Sequence, residues 1–324
     1  MKLTSTILST VAVIAASVLP SFADTPQVRA AVLKFGTVNW ELNTIKHHGL
    51  DKANGFDLVV QGMAGNSATR VAFQGGEADV VVADWIWVAR QRADDKDFVF
   101  IPYSKAVGGL MVKDDSPVKT LDDLKGKKIG IAGGPVDKSW LLIRALVAQE
   151  SKMDLAADTE QVFGAPPLIF KSALKGDVDA AINFWHFGAK MKAAGMREVI
   201  SVSDVAMQLG LNPDTPLLGY VIKGDFMRNN PEIAKGFARA SQQAKAILAK
   251  DDVEWDRLRP KMNAKTDAAF GALKSGFRAG IPSSYEVNEA DAAALLAVMG
   301  DLGGEKLVGK ATQMPSGVFM KPES

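Results

Sequence analysis

Residues 121–149 read LDDLKGKKIGIAGGPVDKSWLLIRALVAQ, and the order of their segments decides the fold class. A short helical turn, Leu121 to Leu124, leads into the basic turn Lys125-Gly126-Lys127-Lys128. A β-rich run, Ile129 to Ala132, then stops at Gly133-Gly134-Pro135. Asp137 or Ser139 can cap a following helix whose apolar positions Leu142, Ala145 and Leu146 recur at helical spacing. Strand, glycine turn and helix N-terminus make half of a βα unit. The first turn of such a helix points unpaired N–H groups and a partial positive charge into the space beyond the strand end. That space suits a small polar or anionic group. The structural alternative is that Gly133-Gly134 only turns the chain.

Working outward, Val28 to Phe35 is a strand candidate, followed by a helix from Glu41 to Lys52 that stops at Asn54-Gly55. Phe56 to Gln61 is the next strand. Asn66-Ser67 can cap a helix over Ala68 to Gln74, and Ala78 to Ala83 is a short apolar strand of the kind found in parallel sheets. This alternation predicts an α/β lobe with a parallel sheet. Phe98 to Tyr103, Gly108 to Val112 and Gly219 to Ile222 are further strands, with chain crossings between two lobes at Ser104 to Val107 and before Gly219. Two crossings leave a cleft that can close by hinge motion. From Asn230-Pro231 to Leu302 the chain is mainly helical and carries no chemical motif, which predicts packing on the first lobe.

An internal repeat joins the lobes. Gly76-Glu77-Ala78-Asp79-Val80-Val81-Val82-Ala83-Asp84-Trp85 aligns without a gap on Gly176-Asp177-Val178-Asp179-Ala180-Ala181-Ile182-Asn183-Phe184-Trp185. Each copy follows a short amphipathic helix and ends in tryptophan. Ligands of open α/β sheets bind beyond the strand ends. The repeat therefore predicts one cleft wall from Asn39, Trp40, Asn66, Ser67, Asp84, Trp85 and Trp87. The other wall is Gly134, Pro135, Asp137, Lys138, Ser139, Asn183, Trp185 and His186. Core packing of the tryptophans is the competing reading.

Composition bounds the function. With 47% hydrophobic and 23% charged residues, the chain is a soluble globular protein large enough for two lobes. Lys2 to Ala23 has the charge, apolar run and small-residue end of a cleavable signal peptide, so the mature chain is expected to start at Asp24. Cleavage removes one charged side chain, Lys2, and takes the formal net charge from +1 to 0. A neutral chain disfavours nucleic acid as a partner. The absence of cysteine excludes disulfides, thiol nucleophiles and thiolate metal sites. The adjacent His47 and His48 cannot share a helical face, and no nucleotide-loop, zinc-protease or serine-hydrolase motif occurs. No catalytic residue, metal or cofactor is expected.

The stretch LDDLKGKKIGIAGG, followed by a serine and a leucine-rich helix, resembles the start of the second lobe in periplasmic binding proteins of the nitrate/sulfonate/taurine type, a group that includes thiamine-pyrimidine-precursor-like proteins. The resemblance runs from about Val28 to Asn230 and weakens in the C-terminal helices. It implies a two-lobed type II periplasmic-binding-protein fold: signal peptide at 1–23, first lobe at 24–107 plus 217–324, second lobe at 108–216. It also implies a monomeric periplasmic protein that delivers a small-molecule solute to an inner-membrane ABC permease, and it places the ligand at the two walls above. The wall positions hold no arginine, so Asp84 is expected to receive an ammonium. A taurine-like zwitterion then satisfies both walls, with Trp85 and Trp185 facing it. A pyrimidine-like or other aromatic amine is the alternative ligand, and an enzyme of this fold acting on a bound heterocycle the alternative class.

Overall fold

The computed structural model describes residues 25–321, so the signal-peptide reading and the expected start at Asp24 lie outside the described residues. Ten strands are arranged in two sheets. They are β1 (Gln27–Leu33), β2 (Asp57–Met63), β3 (Val80–Asp84), β4 (Phe98–Ser104), β5 (Gly109–Lys113), β6 (Lys128–Ala132), β7 (Glu160–Gly164), β8 (Ala180–Asn183), β9 (Met196–Ser201) and β10 (Leu218–Lys223). One sheet has the order β2-β1-β3-β10-β4 and the other β7-β6-β8-β5-β9. The fold is α/β and two-lobed.

The parallel sheet expected from the first strands holds for those strands, and a reversed strand joins each sheet. β1 pairs in parallel with β2 and β3, and β6 with β7 and β8, but β10 runs antiparallel to β3 and β4, and β5 antiparallel to β8 and β9. The reversed strands are the two that follow the crossings. A chain arriving from the opposite lobe enters its new sheet at the cleft end and can only run away from it. β7 and β9, absent from the sequence reading, are half-exposed strands without a clean apolar run.

The repeat is a repeated device for joining helix to strand. Gly76 (φ 83°) and Gly176 (φ 84°) both end their helices in the left-handed region that favours glycine. Three residues on, each aspartate links its strand to the parallel neighbour. Asp79 Oδ2 accepts the Arg29 N–H at 2.9 Å, and Asp179 Oδ2 accepts the Lys128 N–H at 2.8 Å. The aspartates give their own N–H groups back to the Arg29 and Lys128 carbonyls, each at 2.8 Å.

The C-terminal helices do more than cover the first lobe. Asp267–Ala279 packs against Trp185–Ala193 of the second lobe, while Glu289–Val308 packs on both Trp85–Arg92 and Lys138–Glu150. Leu296 and Met299 thus share one apolar core with Trp85 and Ile86 from one lobe and Leu142 and Leu146 from the other. Among the described residues, no helix is long and apolar enough to cross a membrane.

Candidate functional site

Asp84 ends β3, and its side chain caps the helix Trp85–Arg92, Oδ1 accepting the Trp87 N–H at 2.9 Å. Its second oxygen lies 3.2 Å from Nζ of Lys138, the first residue of the helix Lys138–Glu150. One partner belongs to each lobe, so the ion pair spans the cleft. Burial pushes the Asp84 carboxyl up, but the Lys138 ammonium, the Trp87 N–H and the Arg70 guanidinium outweigh it and hold the group below the ordinary carboxylate range.

Arg70 was missed in the sequence. Its guanidinium lies 4.8 Å from the centre of the Trp87 ring, within cation–π range. It sits on the helix Asn66–Gly75, three and four residues after Ser67 and Asn66, and therefore on their face. That spacing was the available signal. The expectation that Asp84 waits for a ligand ammonium is corrected, because Lys138 already occupies it. Two cations, Lys138 and Arg70, act on Asp84.

The helix starts differ. Asn66–Gly75 begins after an extended Gly65 (φ −158°, ψ 163°) with no side-chain cap, and Asn66 and Ser67 are exposed. Its first-turn N–H groups thus lack a side-chain acceptor. Lys138–Glu150 is capped by Asp137, whose Oδ1 accepts the Trp140 N–H at 3.1 Å. Burial raises the Asp137 carboxyl above its ordinary value. Gly134 accepts the Asp137 N–H at 2.9 Å; Pro135 is exposed and Ser139 half-buried.

Several expected wall residues are committed to the fold. Asn39 Nδ2 donates to the Leu33 and Gly36 carbonyls, each at 2.8 Å, and so pins the loop after β1. Asn183, 2% exposed, donates to the Pro166 carbonyl at 2.9 Å and accepts the Phe184 N–H at 2.8 Å. Trp40, Trp85 and Trp87 are buried. The placement of Trp85 against the ligand is corrected: the ring is 0% exposed and packs edge-on to Phe319 at 5.9 Å. Its turn from strand into helix carries the indole into the core, where Nε1 has no hydrogen-bond partner.

Its repeat counterpart, Trp185, remains half-buried and meets Trp40 of the other lobe edge-on at 6.1 Å. His186 lies among Phe184, Trp185 and Phe187, at centroid distances of 6.3, 5.7 and 4.6 Å. Burial, with a smaller contribution from Lys190, pushes its pKa down to about 4, so the imidazole is neutral at ordinary pH. Trp185 also borders a cavity of about 580 Å³ at the hinge, between the first crossing and the helix Asp267–Ala279. The charges lining that cavity are already paired, Lys105 with Asp214 and Lys192 with Glu198.

Away from the cleft, His47, His48 and Glu254 bring three ligand-type atoms within 4.8 Å of one another. Glu254 is occupied by Arg257, Thr44 and His48, and its carboxyl is held at about 2 despite burial. A carboxylate already paired with arginine is a poor metal ligand.

The NMT1/THI5 like family model matches residues 46–254, most of both lobes. The chain belongs to the NMT1/THI5 like family. A search of curated proteins gave no match. Among solved structures, this NMT1/THI5 like chain is similar to the periplasmic aliphatic sulphonate binding protein SsuA from Escherichia coli, with a TM-score of 0.71, 18% identity, and 92% of this chain and 94% of that one covered. It is also similar to the alkanesulfonate-binding protein SsuA from Xanthomonas axonopodis pv. citri, bound to MOPS, with a TM-score of 0.68, 17% identity and coverage of 91% and 99%. A third similar structure is a DszB mutant in complex with biphenyl-2-sulfinic acid, with a TM-score of 0.58, 15% identity and coverage of 90% and 94%. At these identities the likeness establishes the shared fold.

Proposed function

We propose that this protein is the periplasmic solute-binding component of an ABC importer and that it captures a small organosulfonate between its lobes. The observation that carries the reading is the charge balance of the cleft. Arg70 and Lys138 bring two cations to Asp84, while Asp137 is engaged in capping the helix of Lys138, beside a helix start whose N–H groups have no side-chain acceptor. A sulfonate supplies oxygens for such donors, and charge-assisted hydrogen bonds of this kind contribute about 1.5–3 kcal/mol each. The similarity to sulfonate-binding proteins supports the same class. A taurine-like ammonium would have to displace Lys138 from Asp84, so a sulfonate without an amine fits better than the zwitterion.

In this reading the protein does no covalent chemistry, acts as a monomer, and hands its solute to an inner-membrane permease. Asn66, Ser67, Arg70 and Lys138 hold the anionic head, and Trp185 and His186 contact the organic part. A thermal-shift panel of ethanesulfonate, taurine, sulfate, nitrate and an aminopyrimidine tests it. Ethanesulfonate is expected to stabilise more than taurine, sulfate or nitrate, and recovered ligand is expected unchanged. An aminopyrimidine or nitrate as the best stabiliser refutes the reading.

A further inference from the structure

The end of β8 carries the run Phe184-Trp185-His186-Phe187, in which the other three rings gather around His186, extended by Phe170 at 5.7 Å from Phe187. β8 lies beside β6, with Ile182 opposite Ile131, so this run stands next to the turn that leads to Lys138. On the other side of β6 runs β7, where Phe163 is 37% exposed, and in the helix Pro166–Lys175 that follows it Leu168 is 54% exposed. Phe184 itself is 39% exposed. Across the cleft, Phe35 follows β1 and is 90% exposed. Phe184 and Phe35 thus place exposed apolar side chains just beyond a strand end in each lobe, after β8 and after β1. None of these rings carries charge, since the imidazole among them is neutral.

Resting on the sulfonate reading above, we infer that the anionic head of the solute is joined to an aromatic ring, so that the protein selects arylsulfonates over short alkanesulfonates. The sulfonate reaches the Arg70–Lys138 side while its ring lies against the aromatic run. A ring finds offset and edge-on partners there that a two-carbon chain cannot use.

Calorimetric titration of the mature protein with benzenesulfonate and ethanesulfonate tests this. Benzenesulfonate is expected to bind at least tenfold tighter, and Phe184→Ala, at a partly exposed position, to reduce that ratio at least threefold. Phe184→Leu, which keeps an apolar body without a ring, is expected to reduce it as well. Ethanesulfonate binding as tightly as benzenesulfonate, or an unchanged ratio in both variants, overturns the inference and leaves the sulfonate reading standing. Binding of neither sulfonate overturns both.

Discussion

Replacing Lys138 with methionine keeps the length of the side chain and removes the charge that spans the cleft. At 3.2 Å and an effective dielectric of about 20, the attraction to Asp84 is about 5 kcal/mol before desolvation is subtracted. The lysine side chain is 23% exposed, and Arg70 stays behind to compensate, so the net loss is expected to be about 1–3 kcal/mol. For a chain of this size that corresponds to a fall in Tm of roughly 2–10 °C. Asp84 titrates below its ordinary 3.8 in the folded protein. Its contribution is therefore present above that value and is lost as the pH falls through the folded pKa. In Lys138→Met the Asp84 pKa rises, so the Tm gap between wild type and variant should be full at pH 7 and close below about pH 4. Because the pair joins the lobes, the radius of gyration from small-angle scattering should also increase. A double-mutant cycle with Asp84→Asn isolates the pair. Coupling below about 0.3 kcal/mol, with unchanged scattering, would refute the inter-lobe role.

Glu41 and Lys245 form a second, fully buried pair at 2.5 Å, with Tyr220 and Ser241 donating to Glu41 at 2.9 and 2.6 Å. Lys245→Met strands a buried carboxylate and should cost about 3–5 kcal/mol in urea unfolding, part of which Glu41→Gln in the same chain should restore. Trp85→Ala should cost about 3–5 kcal/mol of stability, whereas Trp185→Ala should cost less and weaken ligand binding instead; calorimetry beside a melting curve separates the two. Gly108→Ala should lower Tm and impair closure, because a Cβ there would lie 1.9 Å from the Asn183 carbonyl oxygen. His186, at about 4 when folded against 6.5 when free, should appear neutral by NMR down to pH 5. The unfolded chain takes up that proton first, so His186 makes the protein less stable as the pH falls from 6.5 towards 4.

The βα units were legible where the strand is largely apolar, as in β3 and β6, and a capping residue, Asp84 or Asp137, opens the helix. The repeat was legible for the same reason, since Gly76 and Gly176 need a left-handed backbone and Asp79 and Asp179 need a neighbouring N–H. The direction of β5 and β10 was not, because strand polarity depends on which lobe the chain comes from. Trp85 and Trp185 share a local pattern and part company only in their tertiary surroundings: Phe319 closes over one, and Trp40 with Gly276 meets the other. Arg70 stands one turn beyond Asn66 and Ser67 on the same helix face, so only its spacing marks it. The span of the C-terminal helices across both lobes has no local signature, as an apolar face does not name its partner.

An organosulfonate is expected to bind between the lobes at the Arg70–Lys138 cations. The most direct measurement is a crystal structure of the mature protein grown with benzenesulfonate. Sulfonate oxygens are expected within hydrogen-bonding distance of Arg70 or Lys138 and of the N–H groups at Asn66 and Ser67. A sulfonate seated in the hinge cavity among Lys105, Lys192 and Ser275, with the Arg70–Lys138 region empty, would contradict it.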